Sequence, residues 1–351
     1  MTELSQESLE FLKKLIKTPS FSREEDKTAE IITSYFSGKN IPFQRKGNNI
    51  WAKNLHFDEK LPCILLNSHH DTVKPNKLYT LDPFGAEEKE GKLFGLGSND
   101  AGASLVGLWA TFIHFYAKKL KYNLIYAATA EEEISGENGI KSILEELGEI
   151  NFAIVGEPTQ MNLAVAEKGL VVLNCRAKGI VSHAAHENLN NSIYNAMEDI
   201  LKIQNYEFEK ISEVLGKTKA TVTIINAGSQ HNVVPEFCDF TVDIRTNELY
   251  SNAEVVDVFR SFLSSEIQPR SLRLNSSSIA LSHPIVKACE LENCSLYGSP
   301  TISDQALIPF DSVKIGIGDS LRSHTADEFI YIEELEKGIE KYIKILSHLL
   351  N

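Results

Sequence analysis

Five short stretches of this chain gather imidazoles and carboxylates, three of them directly after apolar runs. In NSHHDTVKP, His69, His70 and Asp71 follow the run CILLNS. Side chains alternate faces along a strand, so His69 and Asp71 point to one side and His70 to the other. His69 is then the better metal ligand, and Asp71 is placed to accept its second imidazole N–H and fix the ring. A polar turn after a strand also carries such residues for no metal at all. In KLFGLGSNDAGAS, Asp100 sits in a turn bent by Gly95, Gly97 and Gly102, just ahead of a helical pattern. Neither G-x-G-x-x-G nor Gly-Lys-Ser/Thr is present, which argues against a phosphate cradle. What is left is one carboxylate offered by a bent loop, suited to a metal or to capping the helix. TAEEEISG places Glu131, Glu132 and Glu133 directly after the run NLIYAATA. Adjacent carboxylates repel, and either solvent or a cation must relieve them; with a cation, one ligates while its neighbour handles protons. VGEPT closes the run FAIV with Glu157, and SLRSHTADEFI carries His324 shortly before the last helical pattern.

The elements that must position these groups alternate in type. Helical patterns at 7–16 and 25–37 precede strands near 49–53 and 62–68, followed by a helix near 103–118, a strand at 123–130, a helix near 140–147 and a strand at 152–157. Strands separated by helices of this length form a mainly parallel sheet covered on both faces, with ligands bound beyond the carboxyl ends of the strands. From Gly169 the rhythm changes: LVVLNCRAKG, NNSIYNAMEDILKIQ, ATVTIINAG, CDFTVDIRT, NAEVVDVFRSFLSS and SLRLNSS read strand, helix, strand, strand, helix, strand. That order is a ferredoxin-like split βαβ unit. The expected fold is therefore α/β, with an inserted α+β domain over 169–279 and a discontinuous domain made of 1–168 and 280–351. His69 and His324 fall on opposite flanks of the insertion.

At 351 residues the chain is long enough for about two domains. Its 35 Lys+Arg against 48 Asp+Glu leave a net charge of −13, which disfavours a nucleic-acid partner, since phosphate calls for a basic surface. Cys63, Cys175, Cys238, Cys289 and Cys294 form no C-x-x-C pair, and the five-residue step from Cys289 to Cys294 matches no zinc-knuckle spacing. Free thiols in a reducing cytosol are the expectation. The first twenty-odd residues read as an amphipathic helix rather than a signal peptide, and no run reaches the roughly 18 apolar residues of a membrane span.

Taken together, the stretches form an ordered series: H-x-D-T-V at His69–Val73, D-P-F at Asp82–Phe84, G-x-x-D at Gly97–Asp100, the Glu triplet, G-E-P-T at Gly156–Thr159, K-G at Lys168–Gly169, N-V-V-P at Asn232–Pro235, D-I-R at Asp243–Arg245 and H-T-x-D-E at His324–Glu328. This series resembles the metal-dependent aminoacylase, acetylornithine deacetylase and succinyl-diaminopimelate desuccinylase family, over nearly the whole chain. The resemblance implies a zinc exopeptidase-like catalytic domain with a lid that serves in dimerisation. It implies two divalent ions, zinc before cobalt or manganese, bridged by Asp100, with His69 and Glu157 completing one and Glu133 and His324 the other. Glu132 is then the general base and Asp71 the partner of His69. Glu131 stands where relatives usually have Asp, so the register within the triplet is the open point. In the lid, His183 would polarise the scissile carbonyl, in many relatives from the partner subunit of a homodimer, and Asn232 and Arg245 would bind substrate polar groups. The implied activity is cytoplasmic hydrolysis of an N-acyl amino acid, of the acetylornithine deacetylase type found in arginine biosynthesis. Its rivals are desuccinylation, a dipeptidase or carboxypeptidase activity, and a binding protein on a decayed hydrolase fold. Ser68, where relatives often have Gly, and NDAGA, where many have Asp-Met-Lys-Gly, are departures that touch substrate choice rather than the ligands.

Overall fold

The computed structural model describes residues 2–350 and divides into two compact units. The first comprises the chain up to Val165, Ser278–Tyr297 and the chain from Ser303; the second is Ala166–Ser277 with Gly298–Ile302. The short return of Gly298–Ile302 is a detail that the sequence reading, which ran the second domain from 169 to 279, does not contain.

The first unit is built on a mixed, mainly parallel sheet. Its strands run in the order Gln44–Lys46, Asn49–Lys53, Asn123–Thr129, Cys63–His69, Phe152–Val155, Ser312–Lys314, Leu163–Glu167 and Ser277–Ser278, with Leu296–Ser299 also pairing with Leu163–Glu167. The Cys63–His69 strand lies parallel to both of its neighbours, and Ser312–Lys314 lies parallel to Phe152–Val155. Every residue of Cys63–His69, Asn123–Thr129 and Phe152–Val155 is buried, which is why these strands read as continuous apolar runs rather than alternating ones. The helix Ala103–Phe115 is buried along nearly its whole length. It packs against Glu3–Ile16 and Ile332–Leu350, each of which offers one apolar stripe. The segment read as a helix near 140–147 is instead a 3₁₀ turn at Ile140–Ser142 followed by the short helix Leu144–Leu147, because Gly148 ends it with a positive φ.

The second unit has a four-stranded sheet, ordered Lys219–Ala227, Phe237–Thr246, Gly169–Lys178 and Glu266–Pro269, all antiparallel. Its helices Ser192–Asn205 and Asn252–Phe262 share one core with Val171, Leu173, Phe240, Val242 and Ile244. The last strand comes earlier than expected, at Glu266–Pro269 rather than in SLRLNSS. The carbonyl of Leu274 is taken up by Asn252 Nδ2 and the amide of Leu170, which ties that segment as a loop. Among the described residues no helix is long and apolar enough to cross a membrane.

Candidate metal centre

Seven of the ten residues singled out lie in the first unit, at or beyond the carboxyl ends of its parallel strands. His69 is the last residue of its strand and is buried. Its Nδ1 donates to the main-chain carbonyl of Asp71 at 3.0 Å, since a carbonyl can only accept. That bond fixes the tautomer and leaves Nε2 as a lone pair facing three carboxylates: Asp100 Oδ1 at 3.5 Å, Glu132 Oε2 at 3.8 Å and Glu157 Oε1 at 3.8 Å. The Asp71 carboxylate lies 3.4 Å from Nδ1, a looser contact than the carbonyl makes. It does more for the Glu triplet: Oδ1 accepts the amide of Glu132 at 3.0 Å, and Oδ2 accepts the amide of Glu133 at 3.2 Å and the Ser22 hydroxyl at 2.7 Å. His70 points away, its ring nitrogens bonded to the Thr28 hydroxyl and the Asn48 carbonyl.

The triplet separates by backbone geometry. Glu131 has φ +56° and turns its carboxylate onto Asn138, whose side chain donates at 2.9 Å. The 3₁₀ turn Glu132–Ile134 then carries the next two acids to the other side. Glu132 groups with His69 and Glu157, and Glu133 with His69 and Asp100, each set with ligand atoms within 4.8 Å of one another. His324 closes the second cluster: its Nε2 is 2.9 Å from Glu133 Oε2 and 3.6 Å from Asp100 Oδ2. Asp100 thus directs one oxygen at each histidine.

Charge makes the same point. Burial resists charging His69, but Glu132, Asp100, Asp71 and Glu157 outweigh it and raise the imidazole pKa well above its ordinary range. Burial pushes Glu157 up to about 8, opposed by His69 and reinforced by Asp100. Glu132 is driven well above the carboxylate range by burial, against His69 and with the help of Glu157, Asp304 and Glu133. His324 is raised to about 9, first by its bond to Glu133. So many acids can be ionised together only beside a cation. His69 Nε2 and Glu157 Oε1 are buried polar atoms without a hydrogen-bond partner, as expected of groups that await an ion. Two imidazoles with carboxylate oxygens form a donor set for a divalent metal with open positions. The residues fit the group.

Two acids that support the site carried no role in the sequence reading. Glu328 is buried and accepts the amides of Gly97 at 3.2 Å, Asn99 at 2.8 Å and Asp100 at 3.0 Å, so one carboxylate holds the whole Asp100 loop. Its place in the H-T-x-D-E stretch was visible, but its burial was not. Asp304 accepts from Asn67 Nδ2 and Thr129 Oγ1, both at 2.8 Å, clamping the ends of two neighbouring strands. Nothing around it in sequence marks that task.

The remaining three residues belong to the second unit. His183 and Val233 are register partners on a two-stranded ribbon, and Ala184 donates to the carbonyl of Asn232 at 2.9 Å, so His183 and Asn232 are brought together. Arg245 lies apart on Phe237–Thr246, where its guanidinium binds Asp243 through two contacts of 2.8 and 3.2 Å.

Residues 65–348 match the profile of Peptidase family M20/M25/M40. A succinyl-diaminopimelate desuccinylase of Wolbachia pipientis is 26% identical over 297 aligned positions, covering 79% of this chain and 74% of that protein. An acetylornithine deacetylase of Buchnera aphidicola is 26% identical over 370 aligned positions, covering 94% of this chain and 95% of that protein. Among solved structures, a dinuclear metal binding peptidase of the M20 family from Bacillus subtilis is similar with a TM-score of 0.73 at 17% identity over 98% of each chain, a likeness of fold.

Proposed function

The chain belongs to peptidase family M20/M25/M40 and is a metal-dependent hydrolase, and from that premise we propose that it cleaves the amide bond of an N-acylated amino acid at a site holding two divalent ions. The observation that carries this reading is the Asp100 carboxylate, whose two oxygens face His69 and His324 respectively. His69 and Glu157 would hold one ion, Glu133 and His324 the other, and Asp100 both. Zinc suits this mixture of imidazole and carboxylate, with cobalt and manganese as its competitors. Such ions, when bound, supply Lewis acidity, which acidifies water and polarises a carbonyl.

The chain's own groups do the rest. Glu132 is the acid left over from ligation, so its carboxylate takes the proton of the attacking water and returns it to the leaving nitrogen. Asp71 fixes this acid and Glu133 through their amides, which keeps the base and the adjacent ligand in one register. With its carboxylate on Asn138, Glu131 is occupied elsewhere, which supports Glu132 over Glu131 as the base. His183 and Asn232 are assigned to substrate polar groups, and Arg245 exchanges Asp243 for the substrate α-carboxylate, a bidentate match.

N-acetylornithine or a similar N-acetyl amino acid is the first substrate reading, supported by the nearly full-length similarity to the Buchnera protein. Desuccinylation is the second, supported by the Wolbachia relative at the same identity. A homodimer formed through the second unit completes the proposal. Its support is an exposed apolar stripe on Ser192–Asn205, made by Tyr194, Met197 and Leu201 at helical spacing, together with Ile224 and Ile225 on the edge strand Lys219–Ala227.

The decisive experiment assays acetylated, succinylated and formylated amino acids and dipeptides after chelation, with zinc, cobalt or manganese restored. Metal-dependent release of one acyl group is expected. Silence across the panel would sink the deacylase reading.

A further inference from the structure

The helix Pro284–Leu291 ends in a turn that sets two thiols side by side. The amide of Cys294 donates to the carbonyl of Cys289 at 3.0 Å, and the amide of Asn293 donates to that of Glu290 at 3.0 Å. Asn293 between them has φ +56°. Two such bonds around one left-handed residue make a Schellman turn, whose first and last residues bring their side chains into contact. That contact is ordinarily between apolar groups; here both positions are cysteine. Both cysteines are buried, free thiols, and the charge of Lys341 on the C-terminal helix acts on Cys294. The remaining cysteines are placed differently. Cys63 lies in the central sheet of the first unit, and Cys175 and Cys238 sit on neighbouring strands of the second but out of register, opposite Phe240 and Ala177.

We propose that Cys289 and Cys294 are a peroxide-reactive dithiol that closes to an intramolecular disulfide. The turn holds the two backbones close, the first condition a disulfide sets. Cys294 is the attacking residue for two reasons. It keeps 7% of its surface exposed while Cys289 keeps none. Its thiol is also drawn down to about 7 by its neighbour Cys289, with Lys341 assisting against burial, while the same neighbour relation pushes Cys289 up. The Cys294 thiolate attacks one oxygen of hydrogen peroxide; the O–O bond breaks, hydroxide leaves and takes up the proton lost by Cys294, and the sulfur becomes a sulfenic acid. Cys289 sulfur then attacks Cys294 sulfur, the S–O bond breaks, and the hydroxyl departs with the Cys289 proton as water. Two thiols lose two electrons in all, and one peroxide becomes two waters.

The test uses the full chain, freed of reductant and treated with hydrogen peroxide at neutral pH. Remaining thiols are alkylated and the digest mapped by mass spectrometry. The expected result is a Cys289–Cys294 disulfide that dithiothreitol reverses, with Cys63, Cys175 and Cys238 alkylated. In C289S, Cys294 should accumulate a sulfenic acid that dimedone traps; in C294S, Cys289 should stay alkylated. Wild-type protein that keeps both thiols after treatment, or carries sulfinic acid at Cys294 without the crosslink, overturns the proposal, and neither result depends on how well the variants fold.

Discussion

Asp100 and Glu132 differ in what they leave undone. Asp100 offers an oxygen to each of two histidines, whereas Glu132 approaches His69 only at 3.8 Å and shares its cluster with Glu157. If Asp100 holds both ions, Asp100→Ala loses both, and metal analysis that finds them retained removes it as the bridge. Glu132→Gln keeps the size of the side chain but not the proton acceptor, so turnover should fall by roughly 100- to 10,000-fold while both ions stay bound. Ion loss in that variant would put Glu132 among the ligands. His69, Glu132, Glu133 and Glu157 were legible because they follow apolar runs whose ends a parallel sheet gathers on one side, and Asp100 and His324 because they stand in ordered motifs. Glu328 and Asp304 were not, because their work is to accept hydrogen bonds from residues about 175 to 240 positions away, and a contact that distant leaves no spacing to read.

Backbone proximity between elements carries its own consequences. A Cβ at Gly316 would collide with the backbone of Glu157 and the Ser104 hydroxyl. Gly316→Ala therefore has to move the strand end that presents Glu157. A destabilisation of about 1–3 kcal/mol is expected, together with weaker metal retention; unchanged unfolding and metal content would show that the strand end yields freely. In the second unit, Asp199 on Ser192–Asn205 is buried and accepts the amides of Ser264 and Ser265 and the Ser265 hydroxyl, tying that helix to the strand entry at the far side of the core. Burial alone would raise this carboxyl, but those donors outweigh it and hold it below the usual carboxylate range. A depressed pKa means that the unfolded chain takes up the proton first. The stabilisation is therefore complete above the unfolded value of about 3.9 and is lost as pH falls through the folded one. Asp199→Asn should cost roughly 1–3 kcal/mol at neutral pH, and urea titrations should show the gap from wild type narrowing below about pH 4. A gap independent of pH would mean that the charge is irrelevant. The helices and strands around these points were readable from periodicity. The final strand of the second unit was misplaced because EIQP and SLRLNSS carry similar patterns, and only the ties made by Asn252 and Leu170 distinguish strand from loop.

At the scale of the molecule, the apolar stripe of Tyr194, Met197 and Leu201 is the feature that isolated chains in water should cover. Sedimentation should show a dimer for the wild type and a monomer for Met197→Glu; a wild-type monomer would end the dimer proposal. The sheet that carries the metal cluster has a different kind of dependence. Ser312–Lys314 fills the slot between Phe152–Val155 and Leu163–Glu167, yet it is the last of the three to leave the ribosome. After Glu167 emerges, synthesis must continue through the whole second unit before the missing strand appears, on the order of ten seconds at ordinary elongation rates. During that interval two strand edges stand open in the nascent chain while the second unit, whose four strands lie between Gly169 and Pro269, can already fold. A ribosome stalled before residue 312 would hold a finished second unit and an unclosed sheet, and the nascent chain would there be at its most prone to aggregate and most in need of a chaperone.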